Sequence, residues 1–288
     1  MSEATPYRAP NAGNARLLSL LNPFASLLDA WRHRELIWQL STSEATSRYR
    51  GSVFGILWSF VIPIVMIVAY KFVFSVVFKA RWRSPENESP LEFGIALYCG
   101  LIVFNVFSEV VGRCPALIRS NPNYVKRIAF PLQVLPIVAL NASLFHAAIN
   151  AIVLLGIVLL VHGGVAVTAG FALVALVPLA LFTLGLAWWV ASLSVYVRDL
   201  GHVMQLILQL LFFTTPIFYP LSAVPEPIRT VMSYSPLAVA VETARNALLF
   251  GQMPDWVMIE ITAAGAFIVM LLGYAFFMKT KRGFADVL

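Results

Sequence analysis

Residue types that commonly carry out chemistry are present in this sequence, but their spacing matches no common catalytic motif. There is no Gly-x-x-x-x-Gly-Lys-[Ser/Thr] loop, so the backbone cradle that holds nucleotide phosphates is missing. His-Glu-x-x-His, Cys-x-x-Cys and Gly-x-Ser-x-Gly patterns are absent as well. The histidines lie far apart in the chain, at His33, His146, His162 and His202. We therefore predict no catalytic residues, no metal site and no cofactor bound by this chain itself.

Isolated charged and polar side chains within apolar stretches need a structural explanation, because a charge is costly inside a membrane. Glu109 precedes Arg113 by one helical turn, so we expect these two side chains to pair. Lys71 is expected to extend its ammonium group outward to the lipid headgroups. For His146 we expect a hydrogen bond to a neighbouring helix. Two separated charges do not form a proton relay, which argues against transport driven by an ion gradient.

The composition is that of a membrane protein. Of the 288 residues, 60% are hydrophobic and only 12% are charged, whereas soluble domains carry roughly a quarter charged residues. The net charge of +6 is better explained by membrane topology than by binding to nucleic acid. The two cysteines, Cys99 and Cys114, lack metal-ligand spacing and are too few for a disulfide framework, so we expect both to be inert.

Six apolar stretches are long enough to predict membrane-spanning helices, since a spanning helix needs about 20 mostly apolar residues. The predicted fold is therefore all-α and integral to the membrane, with one transmembrane domain over residues 51–288. The third and fourth stretches are long enough to tilt, and the fifth is short by comparison. The predicted spans are residues 53–78, 93–112, 132–161, 169–197, 203–219 and 256–278.

The basic residues predict that both termini are cytoplasmic, because Lys and Arg collect on that side of the membrane. With the N-terminus inside, 14 of the 20 basic residues are cytoplasmic, five are outside and Lys71 lies within a span. The cytoplasmic ones are Arg8, Arg16, Arg32, Arg34, Arg48, Arg50, Arg113, Arg119, Lys126, Arg127, Arg198, Lys279, Lys281 and Arg282. The outside ones are Lys79, Arg81, Arg83, Arg229 and Arg245. We predict a multi-pass protein of the cytoplasmic (inner) membrane.

Residues 1–50 are predicted to be a cytoplasmic segment without a signal peptide. Within it, residues 24–40 predict an amphipathic helix lying in the membrane interface. Its apolar face would be formed by Phe24, Leu27, Leu28, Trp31 and Trp38, while Glu35 interrupts the stripe. The alternative is a soluble helix packed on a partner.

Residues 220–255 form the longest outside connection, and prolines punctuate its first part. The apolar stretch 237–250 is too short to span the membrane, and runs of this length are typical of re-entrant or interfacial helices. We predict two short helices that dip into the outer leaflet. Irregular backbone at membrane depth is tolerated only where it is buried in protein or lines a water-filled cavity, so this segment should border a pathway.

Aromatic residues make up 13% of the chain, and several lie on the first and fifth predicted spans. Aromatic faces stack well on the apolar faces of sugar rings, so such side chains would suit a channel for polysaccharide. The alternative is ordinary core packing and interfacial aromatic belts. The candidate channel residues are Trp58, Tyr70, Phe74, Phe212, Phe213, Phe218 and Tyr219.

Five sequence strings, read in order, resemble the membrane subunits of ABC exporters that move O-antigen, capsular polysaccharide and teichoic acid. They are Arg34–Met66, Asn123–Pro136, Tyr196–Leu200, Thr215–Glu226 and the C-terminal tail Lys281–Leu288. The first is similar to the family's R-Y-[RK]-G-S turn followed by G-x-L-W-x-x-x-x-P. The matching residues are Arg48, Tyr49, Arg50, Gly51, Ser52, Gly55, Leu57, Trp58 and Pro63.

Two positions depart from the family pattern. Ser235-Pro236 stands where the family often has Asn-Pro, which keeps a small polar residue before the proline. Lys71 lies in a span that is normally apolar.

The resemblance implies a division of labour between this chain and a separate ATPase. Two copies of the chain would pair with two copies of a cytoplasmic ABC ATPase, which would bind the ATP and Mg²⁺. Cytoplasmic loops at about 114–127 and 198–202 would act as coupling helices. The implied coupling residues are Arg119, Asn121, Tyr124, Lys126, Arg127, Arg198 and Asp199. For Lys126 and Arg127, simple anchoring at the cytoplasmic face is an equal alternative.

The resemblance also implies the cargo and its path. The first and fifth helices would line a pore at the homodimer interface, and the short outer helices would form a periplasmic gate. The cargo would be a polysaccharide on a polyprenyl diphosphate lipid, O-antigen being favoured over capsule or teichoic acid. Arg48 and Arg50 would bind the diphosphate. The nearest rival is a drug or lipid permease of the same superfamily; a membrane-embedded glycosyltransferase and a scaffold without transport activity are further alternatives.

Overall fold

The computed structural model describes Leu28, residues 31–48, 54–78 and 91–121, Tyr124 and residues 130–287. Within these ranges the chain is helical and contains no strand. The main helices are α1 (Arg34–Ser47), α2 (Trp58–Tyr70, extended as a π-helix over Lys71–Val77), α3 (Glu92–Leu117), α4 (Val134–His162), α5 (Ala172–Tyr196), α6 (Leu200–Thr214), α7 (Glu226–Ser233), α8 (Pro236–Leu249) and α9 (Trp256–Thr280).

Five helical segments are long and apolar enough to cross a membrane, counted over the part of the chain that the structure describes. They correspond to the first, second, third, fourth and sixth predicted spans. The segments are Trp58–Val77, Glu92–Leu117, Val134–His162, Val167–Tyr196 and Trp256–Gly283. The all-helical membrane fold is thus confirmed, and the remaining prediction, a span over 203–219, falls on the shorter helix α6.

Helix α6 has 15 residues and ends earlier than predicted. Thr215 is extended (φ −75°, ψ 140°), as expected for a residue before a proline, and Pro216 has no N–H to continue the helix. At a rise of 1.5 Å per residue, α6 covers about 22 Å, less than the ~30 Å hydrocarbon core. Length and the proline, not apolar character, separate α6 from the five long spans.

Helix α6 nevertheless runs antiparallel along α3. A Cβ added to Gly201, at the start of α6, would lie 3.7 Å from Cβ of Pro115 near the end of α3. The far end of the segment reaches Gly100, where an added Cβ would lie 3.6 Å from Cα of Ile217. The chain therefore passes from the level of Pro115 to the level of Gly100 between residues 201 and 217.

Helix α3 is the centre of the domain, and most of its side chains are buried. Helices α4, α5, α6 and α8 all contact it. The tightest pair is α5 with α9, where the backbones meet at two glycines. A Cβ added to Gly185 would lie 2.7 Å from backbone atoms of Met270, and one added to Gly273 would overlap the carbonyl of Gly185. Only glycine fits at this crossing.

Contacts between helix ends define two opposite ends of the bundle. At one end, His162 Nε2 lies 3.2 Å from Glu92 Oε1, so the end of α4 meets the start of α3. At the other end, Lys281 Nζ donates to Gln133 Oε1 (2.7 Å), which joins the segment after α9 to the residue before α4. This alternation of starts and ends is what successive antiparallel membrane crossings produce.

Helical structure in the N-terminal segment continues further along the chain than predicted, and Leu28, Trp31 and Arg32 within the predicted range are helical as well. Helix α1 begins at Arg34 and continues to Ser47, whereas the prediction ended near residue 40. It continues because Ile37, Ser41 and Ala45, spaced at helical intervals, are buried against the rest of the domain. Phe24, Leu27 and the predicted domain boundary near residue 50 lie outside the described residues.

Two tryptophans of the predicted apolar face are exposed, Trp38 within α1 and Trp31 just before it. Trp31 and Trp38 are 68% and 71% exposed, and Leu28 is exposed as well. The opposite face packs Ile37 on Val134 and Val138 of α4. The described part of this segment thus exposes three of the predicted apolar residues and docks its opposite face onto the domain, and its place in the membrane interface stays a prediction.

Candidate functional site

Four of the predicted channel residues come together as one aromatic cluster, defined here as Phe74, Phe212, Phe213 and Phe218. The ring centroids of Phe74 and Phe218 are 5.7 Å apart and stacked, which joins the π-helical end of α2 to the segment after α6. Phe212 lies 5.0 Å from Phe218 and 5.4 Å from Phe213. Such separations are typical of favourable aromatic pairs.

The other three predicted channel residues lie outside this cluster. Trp58 is at the opposite end of α2, with its ring 5.7 Å from Phe54. Tyr70 packs against the central core. The hydroxyl of Tyr219 donates to the backbone carbonyls of Phe213 and Thr214, at 3.1 and 3.0 Å. Tyr219 therefore holds the chain at the turn after α6.

Helices α2 and α6 each leave a broad face uncovered within one chain. In α2 the buried residues are Ser59, Pro63 and Ile67, which form a single stripe at four-residue spacing. In α6 only Met204 is fully buried, and Phe213 is 62% exposed. The aromatic cluster links the π-helical end of α2 to the end of α6 and the segment after it.

Two glutamines on the open face of α6 were not identified from the sequence. Gln205 and Gln209 are exposed, and their four-residue spacing places them on the same side as Phe213. Within the described part of the chain neither amide has a hydrogen-bond partner. An amide exposed to hydrocarbon would be costly, so this face is suited to water, a polar ligand or another protein surface. The sequence feature that could have identified them is the occurrence of two amide side chains within an otherwise apolar stretch.

Predicted coupling residues from two loops meet at the end of the bundle where α3 ends and α6 begins. Arg119 Nη2 donates to the backbone carbonyl of Val195 at 3.4 Å, close to the loop that carries Arg198 and Asp199. Arg198 and Asp199 are both exposed, and the backbone carbonyl of Asp199 accepts from His202 N at the start of α6. The loop after α3 and the loop after α5 therefore lie side by side and form one surface.

The remaining coupling predictions have structural contacts or lie beyond the described residues. Asn121 Nδ2 donates to the carbonyl of Leu117 at 2.9 Å and so closes the end of α3. The ring of Tyr124 stacks on Phe130 with centroids 4.2 Å apart. Lys126 and Arg127 lie outside the described residues.

Arg48, a predicted diphosphate ligand, is paired with a carboxylate. Its Nη2 lies 2.6 Å from Glu109 Oε1, while 53% of its side chain remains exposed. The predicted pair between Glu109 and Arg113 is present, but it is longer, at 3.9 Å. A further ion pair joins Arg113 to Glu44 of α1. The second predicted ligand, Arg50, lies outside the described residues.

His146 has the predicted contact with a neighbouring helix. Its Nε2 lies 3.3 Å from the carbonyl oxygen of Ala45 in α1, and its Nδ1 lies 3.5 Å from Glu109. Together with the ion pairs of Glu44 and Arg48, this contact fastens α1 to α3 and α4 through polar groups. A polar cavity opens beside these residues, between α3 and α4.

The predicted pair of short helices in residues 220–255 is present as α7 and α8. Helix α8 is largely buried and packs on α3 and α5. Arg245, counted above among the outside charges, is fully buried in this helix. The burial of Arg245 could have been predicted from its position within the apolar stretch 237–250.

The guanidinium of Arg245 ties three segments together. It donates to the carbonyl oxygens of Ala96 (3.1 Å), Pro216 (3.0 Å) and Ile217 (3.2 Å), and its Nη1 lies 3.0 Å from Glu242. The N–H groups of the guanidinium thus hold the non-helical segment after α6 against the start of α3. A planar guanidinium can satisfy several carbonyls at once, which a lysine cannot.

The sequence profile of the family described as ABC-2 type transporter matches residues 35–249, from α1 to the end of α8. This chain belongs to the ABC-2 type transporter membrane family. The docked helix α1 and the buried helix α8 are therefore both parts of the ABC-2 domain and not additions to it.

Several curated proteins are similar to this ABC-2 family member along most of their length. The O-antigen export system permease protein RfbA of Myxococcus xanthus is 29% identical, covering 90% of this chain and 97% of the relative. The protein of the same name from Klebsiella pneumoniae is 26% identical, covering 88% and 95%. The polysialic acid transport protein KpsM of Escherichia coli is 23% identical, covering 83% and 91%.

Proposed function

We propose that this chain is the transmembrane subunit of an ABC exporter that moves polysaccharide across the cytoplasmic membrane. The particular polysaccharide proposed is O-antigen. The observation that carries the proposal is similarity over about nine-tenths of the chain to O-antigen export permeases from two organisms. The further similarity to a polysialic acid transporter supports polysaccharide as the broader substrate class.

The proposed complex contains two copies of this chain and two copies of a separate ATPase. The chain lacks the loop that binds nucleotide phosphates, so the energy must come from a partner. The surface formed by the loops after α3 and α5 is the proposed ATPase contact, with Arg119, Asn121, Arg198 and Asp199 in it. Tyr124, Lys126 and Arg127 belong to the same proposed surface.

In the proposed topology both termini are cytoplasmic and α6 is the fifth of six crossings. The course of α6 along α3, from the level of Pro115 to that of Gly100, supports this reading. Helices α7 and α8 then lie at the outer end and act as a re-entrant periplasmic gate. Arg245 supports that role, because it fixes α8 to the outer end of α3 and to the break after α6.

The proposed path for the glycan runs between the open faces of α2 and α6 of two chains. The rings of Phe212, Phe213 and Phe218 offer flat apolar surfaces to sugar rings. Gln205 and Gln209 offer amides to sugar hydroxyls, since each amide both donates and accepts. Alternating stacking surfaces and amides suit a long hydroxylated polymer better than a purely apolar drug.

The proposed substrate carries its glycan on a polyprenyl diphosphate. Arg48, still half exposed beside Glu109, and Arg50 are the proposed ligands of the diphosphate at the cytoplasmic face. A guanidinium binds phosphate through paired, charge-assisted hydrogen bonds.

A deletion of the gene for this chain, with the ATPase gene intact, tests the proposal. We expect surface polysaccharide to disappear and polyprenyl-linked polymer to accumulate inside the cell, measured by immunoblotting of fractionated cells. The matched control is the same strain carrying the gene on a plasmid, which should restore surface polymer. Normal surface polymer in the deletion strain would refute the proposal.

A further inference from the structure

A polar cavity of about 260 Å³ lies between α3 and α4, apart from the open faces of α2 and α6. Its polar lining consists of Arg48, Asn105, Glu109, Ser143, His146 and Asn150. The volume is far larger than a single water molecule needs. Polar side chains concentrated in this way are unusual in a domain that is otherwise apolar.

The cavity reaches from the end of α1 to the middle of the membrane helices. Arg48 directly follows α1 and lies at the rim. Asn105 lies near the midpoint of α3, roughly 18–20 Å from either end at 1.5 Å per residue. Although most of α3 is buried, Asn105 is exposed, and it lines this cavity. A polar group at the bilayer centre is costly, and such groups commonly mark functional sites.

The lining offers both donors and acceptors, with its opposite charges paired. Glu109 is held by Arg48 at 2.6 Å, and Ser143 Oγ lies 3.5 Å from Glu109 Oε2. Asn150 Oδ1 accepts from the hydroxyl of Tyr98 at 3.2 Å, which leaves the amide N–H groups of Asn150 to donate. Inside the cavity an anion would meet Glu109 and a cation would meet Arg48, while the exposed 53% of the Arg48 side chain is open to an anion at the rim. Hydroxyl groups match this lining best, because each one donates to carboxylate oxygens and accepts from amides.

We propose that this cavity binds an uncharged, hydroxylated group, namely a sugar residue of the lipid-linked glycan close to its diphosphate. The assignment rests on the proposed function. With the diphosphate at Arg48 on the rim, the adjoining sugar is within reach of Asn105, Glu109 and Asn150. The cavity then serves as a recognition site on the way from the inner leaflet to the path between α2 and α6. A glycerol-bearing phospholipid headgroup has the same chemistry and is the competing source.

Photo-crosslinking in the intact complex in cells tests this assignment. Benzoylphenylalanine replaces Asn105 in one strain and Phe145 in a second; Phe145 is 43% exposed, lies on α4 and does not line the cavity. We expect irradiation to attach high-mass glycan to the chain at position 105 and not at position 145. This adduct should vanish in a strain that cannot synthesise the glycan. A small, lipid-sized adduct at position 105 that persists in that strain identifies a headgroup and overturns the sugar assignment.

A third strain with benzoylphenylalanine at Phe213 separates this inference from the proposed function. Glycan captured at position 213 but not at position 105 overturns the cavity assignment and leaves the export function standing. Export that persists after deletion of the gene refutes the function itself.

Leucine substitutions provide a second readout that needs no bulky side chain. Asn105→Leu combined with Asn150→Leu should lower the export rate about tenfold, the effect of losing one or two hydrogen bonds to substrate. Phe145→Leu is the matched control and should export normally. Protein level and co-purification with the ATPase are measured in each strain, and normal export by the double variant at normal protein level overturns the assignment.

Discussion

At the scale of single residues, polar side chains inside the helices organise this domain. Arg245 is fully buried and donates to three backbone carbonyls that belong to two different segments. Glu109 is approached by Arg48, Arg113 and His146. In each case a charge that would be costly alone in the membrane is compensated by several partners, so its loss leaves other groups unsatisfied.

Replacing Arg245 tests how much the buried guanidinium stabilises the domain. Arg245→Met should destabilise the protein by about 3–5 kcal/mol, because Glu242 and several carbonyls lose their partner in a buried site. The measurement is thermal unfolding of the purified, detergent-solubilised chain. Arg229→Met is the matched control, since Arg229 is 35% exposed and pairs with Glu226, which is 71% exposed, so its replacement should cost less than about 1 kcal/mol. Equal losses for both variants would contradict the structural role of Arg245.

At the scale of elements, most helices were predictable and their exact ends were not. The five long spans follow from apolar length alone. Helix α6 ended early at Pro216, and α1 extended past residue 40 because tertiary contacts bury Ile37, Ser41 and Ala45. Such contacts are invisible to local periodicity, because they depend on which residues of α4 lie opposite.

In the candidate site, too, some features were predictable from the sequence and others were not. Phe74, Phe212, Phe213 and Phe218 were predictable because aromatic type and span number were both readable from the sequence. The partners of Arg48 and Arg245 were not, because Glu109 is 61 residues away from Arg48, and Ala96 is 149 residues away from Arg245. Pairings over such separations are set by the packing of the helices and leave no local pattern.

The crossing of α5 and α9 provides a prediction at this scale. Gly273→Ala should destabilise the domain by about 1–3 kcal/mol, because the new methyl group would overlap the backbone at Gly185 and force the helices apart. Thermal unfolding of the purified chain is the measurement. Gly265→Ala, on the same helix with open space around it, is the control and should be neutral or slightly stabilising. A neutral Gly273→Ala variant would contradict the close crossing.

At the scale of the whole molecule, two helices have uncovered faces within the single chain, and the proposed homodimer would cover them. Helix α2 buries one narrow stripe, and α6 leaves Leu206, Gln205 and Gln209 exposed. A second copy of the chain would convert these open faces into an enclosed path.

Cysteine crosslinking tests this arrangement. The native cysteines, Cys99 and Cys114, are buried, so an introduced cysteine should be the one that reacts. Leu206→Cys, treated in membranes with a short bifunctional thiol reagent, should give a band of twice the chain mass on a denaturing gel. Leu173→Cys is the control, because Leu173 is equally open (70% against 60% exposed) but lies on α5. Dimer formation by Leu173→Cys and not by Leu206→Cys would contradict a dimer contact at α6.

The most direct test of the central claim is transport by the purified complex. The chain and its ATPase are reconstituted into proteoliposomes with the polyprenyl-linked glycan, and the glycan on the far side of the membrane is measured with a glycosidase confined to that side. We predict that ATP makes the glycan accessible to the glycosidase, and that a complex with a hydrolysis-deficient ATPase leaves it protected. Hydrolysis of ATP without any change in glycan accessibility would contradict the account.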